Sequence, residues 1–397
     1  MSEFTNKSKI RVEQLTNYTI GLMNHENGSE LVKKYQILDT RFTPADLLAL
    51  FDRLFEQNFE IEAIKEASNK LFNILYKSLQ EYPFIPPKKN SFVAILMQDN
   101  QGVLQLLNES KTFIKKINKK FDPNTISELK TRFETLQKFT SHYVVKENIL
   151  FPVIEKKWEN NLCLKLMWSI HDDIRQNIKK TLELLNSPVF DVEQFNKISS
   201  KVYFNIGTII FREERILFPV MLETFNVDDF DDMLQQAAEI GLHFVDIPKV
   251  DSTPKVTQTT GQQIQFKTGT LKLEQAELIF NHLPVDVTFV DEHDTVQFFS
   301  TPKHRIFPRT TGIIGRKVQN CHPHESVEVV NQIVQSFRNG EKDVASFWIR
   351  MGAKFVLIQY YAIRADDGRY KGILEVSQEI SEIQKISGEK KLLDWET

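Results

Sequence analysis

The stretch "KENILFPVIE" (Lys146–Glu155) returns 67 residues later as "EERILFPVML" (Glu213–Leu222). Both copies keep a glutamate at the second position and the run Ile-Leu-Phe-Pro-Val. Each copy lies in a longer segment whose apolar residues recur at helical spacing. A motif repeated in two long amphipathic helices restricts this part of the chain to helices packed side by side, with the repeats as equivalent pieces of wall.

The same periodicity predicts four long helices over about 91–118, 125–158, 162–186 and 191–225, closed by a short helix at 228–243. Breaks fall at "KKFDPNT", "WENN" and "NSPVFD". Before them, residues 1–83 read as shorter amphipathic helices. One begins at "TPADLLALFDRLFEQ", with Thr43 as N-cap and Pro44 in the first turn. "YPFIPPKKN" separates the two groups with three prolines. "DIPKVDSTPKVTQTTGQQ" is polar and reads as a linker. Beyond it "LKLEQAELIFNHL" is helical and "VDVTFVDEHDTVQFFS" is a strand pair. "ASFWIRMGAKFVLIQYYAIRADDGRYKGILEVSQEI" is three strands turning at Gly352 and Asp366–Gly368. A charged helix is expected at the end. The expected organisation is a helical domain at 1–83, a four-helix bundle at 84–245, a linker at 246–270, an α+β domain with an antiparallel sheet at 271–385, and a helical tail at 386–397.

Composition removes several classes of function. A net charge of −3 gives no basic signature for nucleic acid. No apolar run is long enough to span a membrane, and "MSEFTNKSKIRVEQL" has no signal-peptide core. Two cysteines make no disulfide framework and fit a reducing compartment, so a cytoplasmic location is expected.

On a wheel of 100° per residue each bundle helix turns one ligand-capable residue inward. Glu147 lies among Leu129, Phe133, Leu136, Tyr143, Leu150 and Ile154. Glu214, its counterpart in the second repeat, lies among Tyr203, Ile210, Leu217, Phe218 and Met221. His171 is centred on Met167, Ile174, Ile178 and Leu182, and Asp99 on Phe92, Ile95, Val103, Leu106 and Phe113. His142 flanks Glu147. Buried carboxylates repel one another unless something neutralises them. Carboxylate and imidazole together suit iron, manganese or zinc. Arg175, one turn after His171, offers a metal-free alternative in which an ion-pair network balances the glutamates. Exposure of the glutamates to water at a bundle end is a third.

"HYVVKENILFPVIE", "MWSIHDDIR" and "FREERILFPVMLE" resemble hemerythrin-like cation-binding domains. The whole chain resembles a bacterial family that joins an N-terminal domain of unknown function, a hemerythrin-like bundle and a C-terminal PAS domain. The resemblance implies iron, as one or two ions, held by Asp99, His142, Glu147, His171 and Glu214. It also implies oxygen, nitric oxide or redox state as the signal. The chain departs from the family in the first bundle helix, where Ser91 and Ala94 stand in place of histidines, and at Ile209.

"IIGRKVQNCHPHESV" is similar to PAS domains. There Cys321, His322 and His324 lie near the place where many PAS domains hold a cofactor, and haem or flavin is the group they would take. The other reading is a packing and turn signature around Pro323. The cysteine spacing is not that of a light-sensing flavin adduct. His282 and His304 have no partner pattern.

The expected function is a cytoplasmic sensor or signalling protein, not an enzyme, and no kinase motif, helix-turn-helix signature or phosphate loop marks an output module. Its signal would pass by protein–protein contact, with homodimerisation through the PAS domain and no nucleic-acid or membrane partner. The alternatives are an iron storage or delivery protein for iron–sulfur repair, and a metal-free adaptor with a degenerate bundle.

Overall fold

The computed structural model describes residues 2–248, 263–266 and 268–389, apart from the side chains of residues 2–7 and 324. The expected linker therefore lies mostly outside the described residues, as does 390–397 of the expected tail. The chain divides into two compact units, Met1–Asp251 and Ser252–Thr397. No helix among the described residues is long and apolar enough to cross a membrane.

The first unit is helical: α1 (Ser2–Met23), α2 (Gly28–Lys34), α3 (Pro44–Glu56), α4 (Ile61–Gln80), α5 (Phe92–Lys119), α6 (Pro123–Phe139), α7 (Ser141–Val145), α8 (Phe151–Lys157), α9 (Cys163–Leu185), α10 (Val192–Arg212), α11 (Phe218–Thr224) and α12 (Val227–Ile240). Local chemistry sets the starts. Thr43 and Asp46 form a capping box over Pro44, and Ser91, Asp122 and Asp191 each accept backbone N–H groups of the first turn they precede. α5 packs on α6, α6 on α9, α9 on α10, and α10 back on α5. These four rods close a ring. α3 and α4 rest on α9 and on the rod that carries the second repeat. A single apolar core runs through the unit from Leu15 to Ala237, so the proline-rich break at 82–90 divides the chain without dividing the core.

Both repeats interrupt their rods with a π-helical turn, Lys146–Leu150 and Glu213–Leu217. The Phe151 N–H reaches back to the Lys146 carbonyl, and the Phe218 N–H to the Glu213 carbonyl. The proline that follows each phenylalanine supplies the cause. Pro152 and Pro219 have no N–H for the carbonyl four residues earlier, and their rings would strike it in a regular turn. Widening the turn to an i→i+5 closure takes in one more residue and removes the clash.

In the second unit β1 (Gln263–Phe266) and β2 (Gly269–Lys272) pair as a hairpin that begins in the expected linker and takes up Leu271 and Lys272, which the sequence suggests are helical. α13 (Leu273–His282) follows. Then come β3 (Asp286–Asp291), β4 (Val296–Phe299), α14 (His324–Arg338), β5 (Val344–Met351), β6 (Lys354–Arg364) and β7 (Tyr370–Glu379). The sheet is antiparallel with order β4-β3-β7-β6-β5. The β5–β6 turn is Gly352-Ala353, with Gly352 at φ +61°, a left-handed conformation that favours glycine. Val330, Ile333, Val334 and Phe337 of α14 pack with Val290 and Ile373 of the sheet in a small core. Of the expected closing helix, the described part holds one 3₁₀ turn at Ile383–Lys385, and Gly388 follows at φ +69°.

Candidate functional site

The ring of helices encloses a polar cluster. Asp99, His142 and His171 are fully buried and Glu147 is nearly so. Four of the five residues singled out as ligands thus face inward together, while Glu214 is only half-buried. Burial raises the Glu214 carboxyl pKa, and Asn100, whose Nδ2 lies 3.3 Å from it, partly offsets this.

Two residues missed by the wheel hold the centre. Lys146 and Glu213 are both fully buried, and Lys146 Nζ donates to Glu213 Oε1. They are the first residues of the two repeats. A uniform 100° per residue places only the following glutamates on the stripe. The π turns hold one residue more, so Lys146 and Glu147 both face inward.

Each carboxylate is committed. Asp99 accepts His142 Nδ1–H at 2.9 Å and the Phe244 N–H at 2.9 Å, one on each oxygen. Glu147 accepts His171 Nδ1–H at 2.9 Å and Arg175 Nη2–H at 2.6 Å. Burial alone would raise the Glu213 carboxyl, but Lys146 and His142 outweigh it and hold its pKa down at about 2. Burial pulls the Lys146 ammonium down while Glu213 pulls it back. Burial, then Lys146 and Arg175, depress His171 well below the usual imidazole range, so its ring is neutral. Tyr143 stacks on His171 with ring centroids 4.4 Å apart, and Lys146 Nζ lies 4.7 Å from the Tyr143 ring.

Whether this donor set fits the metal that the family resemblance implies is decided by what remains uncommitted. Among the described residues His171 Nε2 is buried without a hydrogen-bond partner, and His142 Nε2, also without a hydrogen bond, lies 3.7 Å from Glu213 Oε2. Both rings are anchored through Nδ1 to a carboxylate, as ligating imidazoles usually are. Against this, no group of three or more His, Cys, Asp or Glu side chains among the described residues is arranged to hold a metal ion. The Lys146 ammonium is bonded to Glu213 and Arg175 to Glu147, so protein cations already neutralise two of the carboxylates. A carboxylate-bridged pair of ions does not fit this arrangement. The positions that depart from the family have other work. Ser91 caps α5, and Ile209 is fully buried in the apolar core.

In the second unit one sheet face carries polar groups in register. Asp286 lies opposite Ser377, Thr288 opposite Glu375, and Glu375 opposite Tyr360. Arg309 Nη2 is 3.8 Å from Glu375, and Arg305 donates to Thr288 Oγ1 at 3.3 Å. Burial lowers the His322 pKa, with Glu375 opposing it. Cys321 is half-buried and packs at the edge of the small core. The His324 side chain lies outside the described residues. Arg309 and Glu375, which both act on the charge of His322, carry no motif in the sequence, and the pairing of β6 with β7 sets Tyr360 opposite Glu375. His282 and His304 line one open groove of about 510 Å³ between α13 and the segment that follows β4.

Residues 276–381 match the family described as the PAS domain, and this part of the chain is a PAS domain. The C-terminal domain of a protein from Streptococcus mutans is similar at 35% identity over 31% of this chain and 96% of that chain, with a TM-score of 0.30. The PAS domain of a protein from Colwellia psychrerythraea matches at 15% identity over 28% of this chain and 98% of that one, with a TM-score of 0.22. A sensory box sensor histidine kinase from Vibrio cholerae matches at 14% identity over 27% and 89%, with a TM-score of 0.21. No protein of curated function matches the chain.

Proposed function

We propose that the protein is a cytoplasmic signalling protein that acts by protein contact rather than catalysis. The PAS domain is its sensory or dimerising module. The helical unit is a hemerythrin-like bundle in which Lys146 and Arg175 neutralise the carboxylates that a metal would otherwise bind. The PAS match over 276–381 supports the signalling role. The buried Lys146–Glu213 pair carries the reading of the bundle. Lys146 is fully buried and held against a carboxylate inside the ring, so it supplies charge where an exogenous cation would be needed.

Glu147→Gln combined with Glu214→Gln tests this. The paired variant should lower the melting temperature equally in iron-loaded and chelator-treated protein, and freshly purified protein should carry no stoichiometric iron. Stabilisation by iron that the variant loses, together with one or two irons per chain, would sink the metal-free reading.

A metal-binding reading has one observation in its favour, the buried Nε2 atoms of His142 and His171, neither with a hydrogen bond among the described residues. In it the two imidazoles and Glu213 would hold a single ion, and Lys146 would have to leave Glu213. Metal affinity would then rise in Lys146→Met. An unchanged metal content in that variant would dispose of it.

A further inference from the structure

Arg212 is a buried cation with no anion beside it among the described residues. It is 4% exposed, and its Nη2 donates to Ser68 Oγ at 3.0 Å and to Asn69 Oδ1 at 2.8 Å. Its Nε and Nη1 are buried with no acceptor. Burial lowers its pKa, and no carboxylate among the described residues pairs with it. A guanidinium in this position calls for an acceptor and a negative charge.

A cavity of about 150 Å³ lies beside it, between α4 and α10, with Asn69, Phe72, Tyr76, Phe204 and Gly207 among its walls. The Phe72 ring sits 4.8 Å from the guanidinium, and Tyr76 stacks on Phe211 with centroids 5.1 Å apart. Of the residues that line it, Tyr76 and Phe204 are each 49% exposed, whereas Arg212 is buried.

Gly207 leaves room beside this cavity. A glycine inside a helix is unfavourable unless something needs the room. At Gly21 and Gly102 a side chain does, since an added Cβ would meet Leu31 at 2.6 Å and Phe244 at 2.4 Å. At Gly207 an added Cβ would meet nothing within 4 Å. Gly207 is exposed and lines the cavity, so a larger side chain placed there has room to reach into it.

We infer that this cavity binds a small organic monoanion, a carboxylate on a flat apolar body of about one ring. A cavity near 150 Å³ accepts a benzene-sized guest. Aromatic walls suit the ring, and the carboxylate supplies the acceptor that Arg212 lacks. Arg212 directly precedes Glu213, so the anion binds one residue from the buried ion pair.

Calorimetric titration of the full chain with sodium benzoate, and with benzamide as the uncharged isostere, tests the site. Saturable binding of one benzoate per chain is expected, with benzamide at least tenfold weaker. Gly207→Leu fills the cavity on a helix it should strengthen, and should weaken benzoate at least tenfold with unchanged circular dichroism. Arg212→Gln should abolish the preference for benzoate over benzamide. If that variant does not fold, Gly207→Leu still decides. No saturable benzoate binding, equal affinity for benzamide, or full binding by Gly207→Leu would each overturn the proposal.

Discussion

Lys146 and Glu213 hold the same position in the two copies of the repeat and meet as a fully buried ion pair. Each also supplies the carbonyl that closes its own π turn. The same widened turn, placed in two facing rods by the same proline, brings a cation from one copy against an anion from the other. Similarity between the copies fixes the geometry, and the difference in charge at their first position supplies the attraction.

Removing one partner leaves the other charge stranded, which typically costs about 3–5 kcal/mol, whereas replacing both by apolar side chains is often near neutral. Lys146→Met and Glu213→Leu should each destabilise the helical unit by roughly that amount. The double variant should be more stable than either single one. Urea denaturation of all four proteins gives the coupling energy. Additive losses would mean the pair does not hold the core together.

Acid sensitivity should begin at His171. Glu147, Lys146, Arg175, Glu213 and His142 surround it, and burial is the largest cause of its depressed pKa. The unfolded chain takes up a proton near pH 6.5 that the folded ring refuses. The contribution is therefore complete above pH 6.5 and is lost as pH falls toward the folded value, at about 1.4 kcal/mol per pH unit. His171→Gln should flatten the stability profile between pH 6.5 and 5 relative to the parent. Parallel profiles would contradict the assignment.

Gly372 sits at φ +132°, and an added Cβ would meet the Val290 carbonyl oxygen at 2.0 Å. That contact is backbone on backbone across the β3–β7 pairing, so it cannot be relieved by a rotamer change. Gly372→Ala should cost at least about 2 kcal/mol, combining clash with an unfavourable φ. Amide exchange should accelerate in β3 and β7 and stay unchanged in the helical unit. Uniform protection would show that the sheet absorbs the methyl.

Asp52 of α3 accepts the Cys163 N–H at 3.1 Å and so caps the start of α9 from another helix. Burial raises its pKa, and the N–H groups of Cys163 and Leu162 pull it back. Asp52→Ala should cost about 1–2 kcal/mol through the lost cap. Thermal melts of the two proteins measure it, and identical midpoints would mean that water serves the helix end equally well.

Much of this was legible in the chain. Apolar spacing locates every rod of the ring, because a 3.6-residue period is a local property of sequence. Strand alternation and the turn glycines locate the meander that ends in β7 for the same reason. Asp99 and His171 are buried where the wheel puts them, His142 is buried although it only flanks its stripe, and Arg175 meets Glu147 as its spacing allows. The tertiary structure alone decided the rest. Whether Lys146 or Glu147 faces inward depends on a turn that widens only where proline meets helix, and a wheel of constant pitch has no term for that. Which carboxylate answers Lys146, and that none among the described residues answers Arg212, depends on which rods become neighbours. That choice is made by burying apolar surface over the whole unit, and so charges far apart in sequence meet, or fail to meet, as its consequence.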